Sequence, residues 1–359
     1  MLLDVLGFRS PVARSRFSVA LFALAARSSR AFSPASPSLT KRFSTQAEIS
    51  FVHPRNVRLK SSMSGDSNTR GVVPSKFKVA ACQILCGEDK RENIKIAEKA
   101  IKDAAGEGAQ VIVLPECWNS PYDTASFPVY AEPVPEPGGD PPREGDSPST
   151  AMLCRVAAES KVYLVGGSVP EAGKDGGVYN TCIVVGPGGK VLAKHQKVHL
   201  FDIDVPGGIT FRESDTLSPG KSITTVETSF GKLGVGICYD MRFPELSLAM
   251  RAAGAVLLCF PGAFNMVTGP AHWELLQRSR ALDNQCYVVT ASPARNPASK
   301  YQAWGHSTVV DPWGAVMSTT EHGSSTVFAE IDPARVAEVR RNIPISLQKR
   351  NDLYQLNVL

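Results

Sequence analysis

The chain has 359 residues, 43% of them hydrophobic and 20% charged, which is enough apolar material for one large domain or two ordinary ones. Its net charge of +5 is unevenly spread: residues 1–75 hold eleven Lys and Arg against three acids, a net of +8, which leaves −3 for the remainder. A mildly acidic body argues against a nucleic-acid partner, and no later run approaches the ~20 apolar residues that a membrane span needs.

Residues 1–75 have the composition of a targeting sequence. They are rich in Arg and Ser and nearly free of acids, which is typical of organellar transit peptides. The apolar run 17–26 also fits the core of a secretory signal, but a long Ser- and Arg-rich stretch follows it. We predict a disordered transit peptide for import into the chloroplast stroma. The alternatives are the mitochondrion, on a matrix-protease-like Arg30-Ala31-Phe32-Ser33, and the cytosol, from a start at Met63.

Strand and helix patterns alternate from residue 76 onward. Apolar runs of strand length occur at residues 76–83, 109–116, 162–171, 232–237, 255–260 and 286–292. Apolar residues at helical spacing occur at 91–108, 149–161, 244–254 and 272–285. Pairs of apolar runs predict hairpins over 178–195 and around 309–317. This alternation predicts an α/β domain with a mixed sheet, and we expect the proline-rich loop 132–148 to border its functional site.

One cysteine stands at a strand-to-helix turn. The run 232–237 ends in a Gly-x-Cys turn at Cys238, and Pro244 and Gly254 have the residue types that begin and end a helix. Such a turn lifts a side chain toward a helix N-terminus, where backbone N–H groups stabilise a thiolate. The alternative is one more small buried hydrophobe. The eight cysteines form no CxxC pair, which favours reduced, buried thiols over disulfides or a zinc site.

Two other polar residues stand where an apolar run stops. Glu116 follows VIVLP, and Lys197 follows the second strand of the predicted hairpin. Each alone is typical of a solvated surface residue. Together with Cys238 they supply what amide hydrolysis requires: a thiol with a base, a cation for the oxyanion, and an acid for the leaving ammonia. Because such groups converge at the carboxyl ends of strands, we expect the three side chains to meet.

Three motifs resemble those of a known family. LPECWNSPY, KVHLFDID and GICYDMRFPE are similar, in that chain order, to the Glu, Lys and Cys motifs of the nitrilase superfamily of carbon–nitrogen hydrolases. The resemblance runs from about residue 76 to the C-terminus and implies that Cys238 is the nucleophile, Glu116 the general base and acid, and Lys197 the oxyanion stabiliser. Glu213, in ITFRESDTLSPG, matches a second glutamate that approaches the site in this family. The resemblance also implies a four-layer α-β-β-α sandwich with mixed sheets and a homodimer formed through helices.

Finer similarities point to one branch of the superfamily. Tyr239-Asp240 follows the cysteine where true nitrilases have Trp-Glu, as in the amidase branches. The stretches LFDIDVPGGITFRESDTLSPG, PGAFNMVTGPAHWELLQRSRALDNQ and TASPARN are most similar to the omega-amidase branch, which hydrolyses the terminal amide of 2-oxoglutaramate and 2-oxosuccinamate. The deaminated glutathione amidase branch, which shares CYDMRFPE and DPWG, is the alternative enzyme. A catalytically dead member acting as a binding or scaffold protein is the alternative of another class.

A keto-acid amide carries a carboxylate at the end away from the scissile bond, so its pocket should hold a fixed cation. Arg242, four residues after Cys238, is the candidate because a guanidinium fork suits a carboxylate. The alternative is a structural bridge from Arg242 to Asp240 or Glu245.

Three more residues are expected to line the pocket. The backbone N–H of Tyr239 would bind the oxyanion, Phe264 would form a wall and Thr268 would supply a hydroxyl, with His272 and Trp273 bracing the wall.

We predict a carbon–nitrogen hydrolase domain over residues 76–340 and a tail over 341–359 that packs on the domain or on the dimer partner. The six histidines are scattered, so we expect no metal site and no cofactor. A Cys-His hydrolase is a further alternative, with three candidate histidines: His199, His272 and His306.

Overall fold

The computed structural model describes residues 75–204 and 210–358. The predicted transit peptide, its cleavage motif and the start at Met63 lie outside the described residues. The strands are β1 (Phe77–Gln83), β2 (Val111–Val113), β3 (Tyr163–Ala172), β4 (Val178–Val185), β5 (Val191–Gln196), β6 (Asp202–Asp204), β7 (Thr210–Arg212), β8 (Thr224–Thr228), β9 (Gly231–Val235), β10 (Ala255–Pro261), β11 (Tyr287–Ala291), β12 (Thr308–Val310), β13 (Val316–Thr319) and β14 (Ser325–Ile331). The helices are α1 (Lys90–Gly106), α2 (Phe127–Tyr130), α3 (Pro148–Ser160), α4 (Pro244–Ala252), α5 (Thr268–Asn284) and α6 (Pro333–Asn342).

Two six-stranded mixed sheets form the centre of the domain. The first has the order β14-β1-β2-β3-β4-β5 and the second the order β13-β12-β11-β10-β9-β8. Each sheet has three parallel strands in the middle, β1 to β3 in one and β9 to β11 in the other, flanked by antiparallel strands. Glu116 and Cys238 follow parallel strands, β2 and β9, and Lys197 follows the β4–β5 hairpin.

Alternation along β1 shows how the layers form. Val79 and Ala81 point into the core between the sheets, while Ala80 and Cys82 pack under α1 and α3 on the outer face. The second sheet is covered by α4 and α5. The order of layers is therefore helices, sheet, sheet, helices, which confirms the predicted four-layer α-β-β-α sandwich.

Several features differ from the sequence-based prediction. Helix α5 begins at Thr268, one turn before the predicted start at His272. The sequence pattern misses this first turn because it carries no apolar residue at helical spacing. Strand β14 pairs along the whole of β1, a contact between chain ends that no local pattern reveals. Strand β8 likewise lies outside the predicted elements.

The proline-rich loop 132–148 lies elsewhere than expected. Instead of bordering Glu116, its residues Pro133–Pro137 line a separate pocket with Lys174 and Lys194. Its buried Glu132 pairs with Lys90 and accepts from the backbone N–H of Thr150 at the start of α3, so the loop anchors that helix.

All eight cysteines are free thiols, seven of them buried and Cys86 half-buried, as the sequence predicts. Among the helices that the structure describes, none is long and apolar enough to cross a membrane.

Candidate active site

Cys238 stands at a sharp turn between β9 and α4. Its φ of 47° places it in the left-handed region, and it opens a 3₁₀ turn over Cys238–Arg242 before α4 begins at Pro244. A Cβ on Gly236 would lie 2.6 Å from the Phe260 ring, so only glycine fits two residues before the cysteine. The thiol in this strained, buried turn is close enough to the Glu116 carboxylate for each group to shift the pKa of the other.

Glu116 and Lys197 reach the same point from the first sheet. Glu116 follows β2, and Lys197 follows β5 directly. Lys197 Nζ donates to Glu116 Oε1 at 2.9 Å, and both side chains are fully buried. The structure thus brings together the three side chains that the sequence placed at strand ends.

Glu213 lies on the other side of the lysine. Lys197 Nζ donates to its carboxylate at 2.9 Å, so the ammonium is held between two buried carboxylates. Tyr122 OH donates to Glu213 Oε1 at 2.7 Å, and the Phe201 backbone N–H donates to Oε2 at 2.7 Å. With both oxygens occupied, the geometry makes Glu213 a holder of Lys197 rather than a free base.

The orientation of Glu116 is set by two groups that sequence reasoning missed. Asn180 Nδ2, on β4, donates to Glu116 Oε1 at 2.9 Å, and the Ala263 backbone N–H donates to Oε2 at 2.8 Å. Asn180 stands in the hairpin strand beside β5, and no local sequence signal distinguishes it from an ordinary strand residue.

Burial and charge decide the protonation states in this cluster. Burial, reinforced by the Glu116 charge, raises the pKa of the Cys238 thiol well above its usual value, and Lys197 opposes this only in part. Burial also raises the pKa of Glu116, with Lys197 acting against the shift. Burial alone would lower the pKa of Lys197, but Glu116 and Glu213 outweigh it and hold that pKa well above its usual value. The resting site therefore pairs a neutral thiol with an ammonium, which differs from the thiolate expected from the helix N-terminus.

Arg242 has the surroundings of an anion-binding group. Its guanidinium lies over the Phe264 ring at 4.8 Å and near the Tyr239 ring at 5.6 Å, and Nη1 is 3.2 Å from His272 Nδ1. In residues 75–204 and 210–358 it forms no ion pair with a carboxylate, and its buried Nε has no hydrogen-bond partner. The structural bridge to Asp240 or Glu245 is therefore absent from the described part of the chain.

Two of the other predicted pocket residues, Phe264 and Tyr239, have their rings against this guanidinium. Phe264 packs on Trp273 with ring centroids 4.9 Å apart, which makes the expected wall. Thr268 donates its hydroxyl to Asn265 Oδ1 at 3.1 Å, so this group is already in use as part of the turn that begins α5. The Tyr239 backbone follows the thiol directly in the 3₁₀ turn.

The candidate histidines do not pair with Cys238. His199 Nδ1 lies 2.8 Å from Asp240 Oδ1, and His272 contacts Arg242. The ring of His306 stacks on Trp304. These contacts disfavour a Cys-His hydrolase. Across the described residues, no cluster of three or more His, Cys, Asp or Glu has the arrangement of a metal site.

A small cavity of about 40 Å³ lies beside Glu116 and opens to the surface. It shares Cys86, Tyr122, Asn296 and Tyr301 with an outer pocket of about 550 Å³, which Lys300 also lines. The inner cavity has room for about one small group, and the lining of neither space includes Cys238 or Arg242.

Comparisons with known proteins agree with this geometry. A family model for carbon-nitrogen hydrolases matches residues 78–341, the segment that contains every candidate site residue. The chloroplastic omega-amidase of Arabidopsis thaliana is 54% identical over 282 residues, 79% of this chain and 74% of that protein. An omega-amidase of Danio rerio is 54% identical over 79% of this chain and 98% of that protein. The crystal structure of Saccharomyces cerevisiae Nit3, a member of branch 10 of the nitrilase superfamily, has a TM-score of 0.70 at 44% identity, covering 77% of this chain and 97% of that chain.

Proposed function

The chain belongs to the carbon-nitrogen hydrolase family, and we propose that it is an omega-amidase. It hydrolyses the terminal amide of 2-oxoglutaramate and 2-oxosuccinamate to the 2-oxo dicarboxylic acid and ammonia. The observation that carries this proposal is the identity of 54% to two omega-amidases over most of the chain. The buried cluster of Glu116, Lys197 and Cys238 supports it, because it holds a thiol, a base and a cation in contact.

The mechanism follows from the contacts of these groups. Glu116 takes the Cys238 proton as the sulfur attacks the amide carbon, and a new C–S bond forms while the carbonyl oxygen becomes an oxyanion. The Lys197 ammonium and the Tyr239 backbone N–H stabilise that oxyanion. Glu116 returns the proton to the leaving nitrogen, so ammonia departs and a thioester remains. Water, deprotonated by the same carboxylate, then hydrolyses the thioester and regenerates the thiol.

Glu116 suits both halves of this cycle. Its raised pKa brings the carboxyl closer to working pH, so the group both accepts and returns a proton readily. Glu213 keeps the ammonium in place throughout, since Tyr122 and Phe201 fix its own two oxygens.

Ammonia release from two candidate substrates tests the proposal. One purified sample is assayed with 2-oxoglutaramate and with deaminated glutathione under the same conditions. We expect a kcat/KM for 2-oxoglutaramate that exceeds the value for deaminated glutathione. The reverse order would favour the deaminated glutathione amidase branch, and no release from either would favour the scaffold alternative.

We propose that Arg242 binds the substrate carboxylate, with Phe264 as the wall beneath it. Arg242→Lys should lower kcat/KM for 2-oxoglutaramate by about 2 kcal/mol, roughly 30-fold, the scale of a charge-assisted hydrogen bond. Lysine keeps the charge but loses the fork that reaches two carboxylate oxygens. Hydrolysis of pentanamide, an uncharged amide of the same length, should barely change, and steady-state kinetics on both amides measure the difference.

The matched control for this prediction is Arg278→Lys on α5. Arg278 donates to the Gly314 carbonyl on the outer side of that helix and should leave both substrates unaffected. Equal losses on both substrates in Arg242→Lys, or a lowered melting temperature that accounts for them, would show that Arg242 supports the fold instead.

We propose that the protein acts in the chloroplast stroma. The Arg- and Ser-rich composition of residues 1–75 supports this, as does the similarity to a chloroplastic omega-amidase. Mass spectrometry of the mature protein from isolated plastids should find an N-terminus near residue 75. An intact Met1 would refute import, an N-terminus at Met63 would favour the cytosolic form, and recovery from mitochondria alone would favour the other organelle.

We also propose a homodimer formed through helices. Leu275 and Leu282 are seven residues apart on one face of α5 and more than half exposed, and Leu347 and Leu353 in the C-terminal tail are exposed as well. Sedimentation velocity of the purified protein should give the mass of two chains. A monomer at micromolar concentration would refute this proposal.

A further inference from the structure

Asp240 is a fully buried carboxylate two residues after the nucleophile, and it accepts four hydrogen bonds. Its Oδ1 accepts from the backbone N–H of His199 at 2.9 Å and lies 2.8 Å from Nδ1 of the same residue. Its Oδ2 accepts from the Ile237 backbone N–H at 2.9 Å and lies 3.0 Å from His195 Nε2. Every donor therefore belongs to one of two segments, the turn that carries Cys238 or the strand end that carries Lys197.

These two segments come from different sheets. Lys197 follows β5 of the first sheet, and Cys238 follows β9 of the second. His195 and His199 stand two residues before and two residues after Lys197, so they bracket the lysine in the chain. The distance between the Lys197 ammonium and the Cys238 thiol thus depends on the contacts that hold the two sheets together here. His195 makes a second such contact, because its Nδ1 lies 3.0 Å from Thr224 Oγ1 on β8 of the second sheet.

The same carboxylate closes the strained turn. The Asp240 backbone N–H donates to the Ile237 carbonyl at 2.9 Å while its side chain accepts from the Ile237 N–H. Cys238, with φ of 47°, lies inside this ring. A left-handed non-glycine residue persists only where its surroundings over-determine it, and Asp240 supplies that constraint.

We propose that Asp240 is a positioning residue that ties the Lys197 segment of the first sheet to the Cys238 turn of the second, and so sets the geometry in which Lys197 and Glu116 face the thiol. This inference rests on the proposed hydrolase function of that site. Asp240 itself contacts none of the three catalytic side chains. Its effect passes through Ile237 on one side and through His195 and His199 on the other.

The chemistry of the four donors requires a carboxylate. An asparagine would present its NH₂ group to a backbone N–H, that of His199 or that of Ile237, whichever way the amide is turned. Burial alone would raise the pKa of Asp240, but the hydrogen bonds from His195 and His199 outweigh it and hold that pKa below its usual value. The group is therefore an anion that accepts at both oxygens.

Asp240→Asn tests the proposal directly. We expect kcat for 2-oxoglutaramate to fall about 100-fold with KM changed less than about threefold, because misplacement acts on the chemical step. The rate of Cys238 alkylation by iodoacetamide, followed by peptide mass spectrometry, should fall as well, since Glu116 no longer faces the thiol correctly. Asp311→Asn is the matched control, because Asp311 also accepts backbone N–H groups in a turn but lies in the β12–β13 hairpin. It should leave kcat and the alkylation rate unchanged.

A pair of variants at His199 tests the positioning role of Asp240 even if Asp240→Asn fails to fold. The ring of His199 stacks on Phe243 with centroids 3.7 Å apart, so both His199→Ala and His199→Asn remove that packing. Only Asn keeps a donor at the position of Nδ1 and can bond Asp240. We expect His199→Ala to lose about tenfold in kcat, the scale of one hydrogen bond to a charged group, and His199→Asn to stay within about threefold of wild type.

Equal losses in the two His199 variants would assign the effect to packing on Phe243 and overturn the proposal. Unchanged kcat in both, or an Asp240→Asn variant with normal kcat and normal Cys238 alkylation, would overturn it as well. Alkylation needs no substrate. A wild-type protein that releases no ammonia would refute the proposed function, and the alkylation rates of the variants would still judge the role of Asp240.

Discussion

Cys238→Ala should abolish ammonia release from 2-oxoglutaramate, with kcat reduced roughly 10⁴-fold or more, as expected when a covalent nucleophile is removed. Alanine leaves the carbon framework of the turn intact, and Glu116 and Lys197 keep their mutual contact of 2.9 Å. What disappears is the sulfur that would form the thioester.

The control for this prediction is a second buried cysteine. Cys259→Ala removes a thiol of the same size from β10, one strand away in the same sheet, and should keep nearly full kcat. Kinetics by ammonia release and melting temperature are measured for both variants. In addition, intact-mass spectra of wild type quenched during turnover should show an acyl adduct that Cys238→Ala lacks. A Cys238→Ala protein that kept more than about a hundredth of wild-type kcat would rule out thioester catalysis at this residue.

The local features of this site are visible in the sequence because they depend on neighbouring residues. A glycine two positions before Cys238 and a proline six after it specify the turn, and the structure has the turn there. Glu116 and Lys197 are polar residues at the ends of apolar runs, which marks strand ends without any knowledge of pairing. The layered fold follows from the alternation of strands and helices together with the family resemblance.

The hydrogen-bond partners of the site residues depend on contacts between segments that are distant in the chain. Asn180 and Glu116 are 64 residues apart, and Tyr122 and Glu213 are 91 apart, so no local pattern links them. The sequence left the partner of Arg242 open, because Asp240 and Glu245 both lie within three residues of it in the chain. In the structure, the Asp240 carboxylate is hydrogen-bonded to His195 and His199 instead. Arg242 therefore has no carboxylate partner among the described residues.

The sequence offers two descriptions of the resting cysteine, a thiolate at a helix N-terminus and a thiol with a base. A helix N-terminus favours a thiolate, but α4 begins only at Pro244, and the turn buries Cys238 beside a carboxylate. Desolvation and the charge of Glu116 raise the pKa of the thiol, which favours its neutral form. The site is better described as a thiol with its base in contact than as a preformed thiolate.

Lys197→Arg should lower kcat for 2-oxoglutaramate by roughly 10³-fold, the upper range for loss of one oxyanion donor. The ammonium is fully buried between Glu116 and Glu213, with 2.9 Å to each, and has one N–H left to point at the substrate. A guanidinium keeps the charge, but it is a larger, planar fork. It pairs with the two carboxylates and cannot place an N–H where the compact ammonium does. It also takes Glu116 as a bidentate partner, which weakens that group as a base.

Because arginine preserves the buried charge balance, the variant should fold, and its melting temperature should fall only by the cost of placing a larger group in a buried site. Lys194→Arg is the matched control: Lys194 stands three residues earlier on β5 and pairs with Glu136 and Glu171, away from the thiol. Its kcat should be unchanged. Lys197→Arg activity above about a tenth of wild type would show that the cluster needs only a positive charge at this position, and the oxyanion would then have to be held by backbone N–H groups such as that of Tyr239.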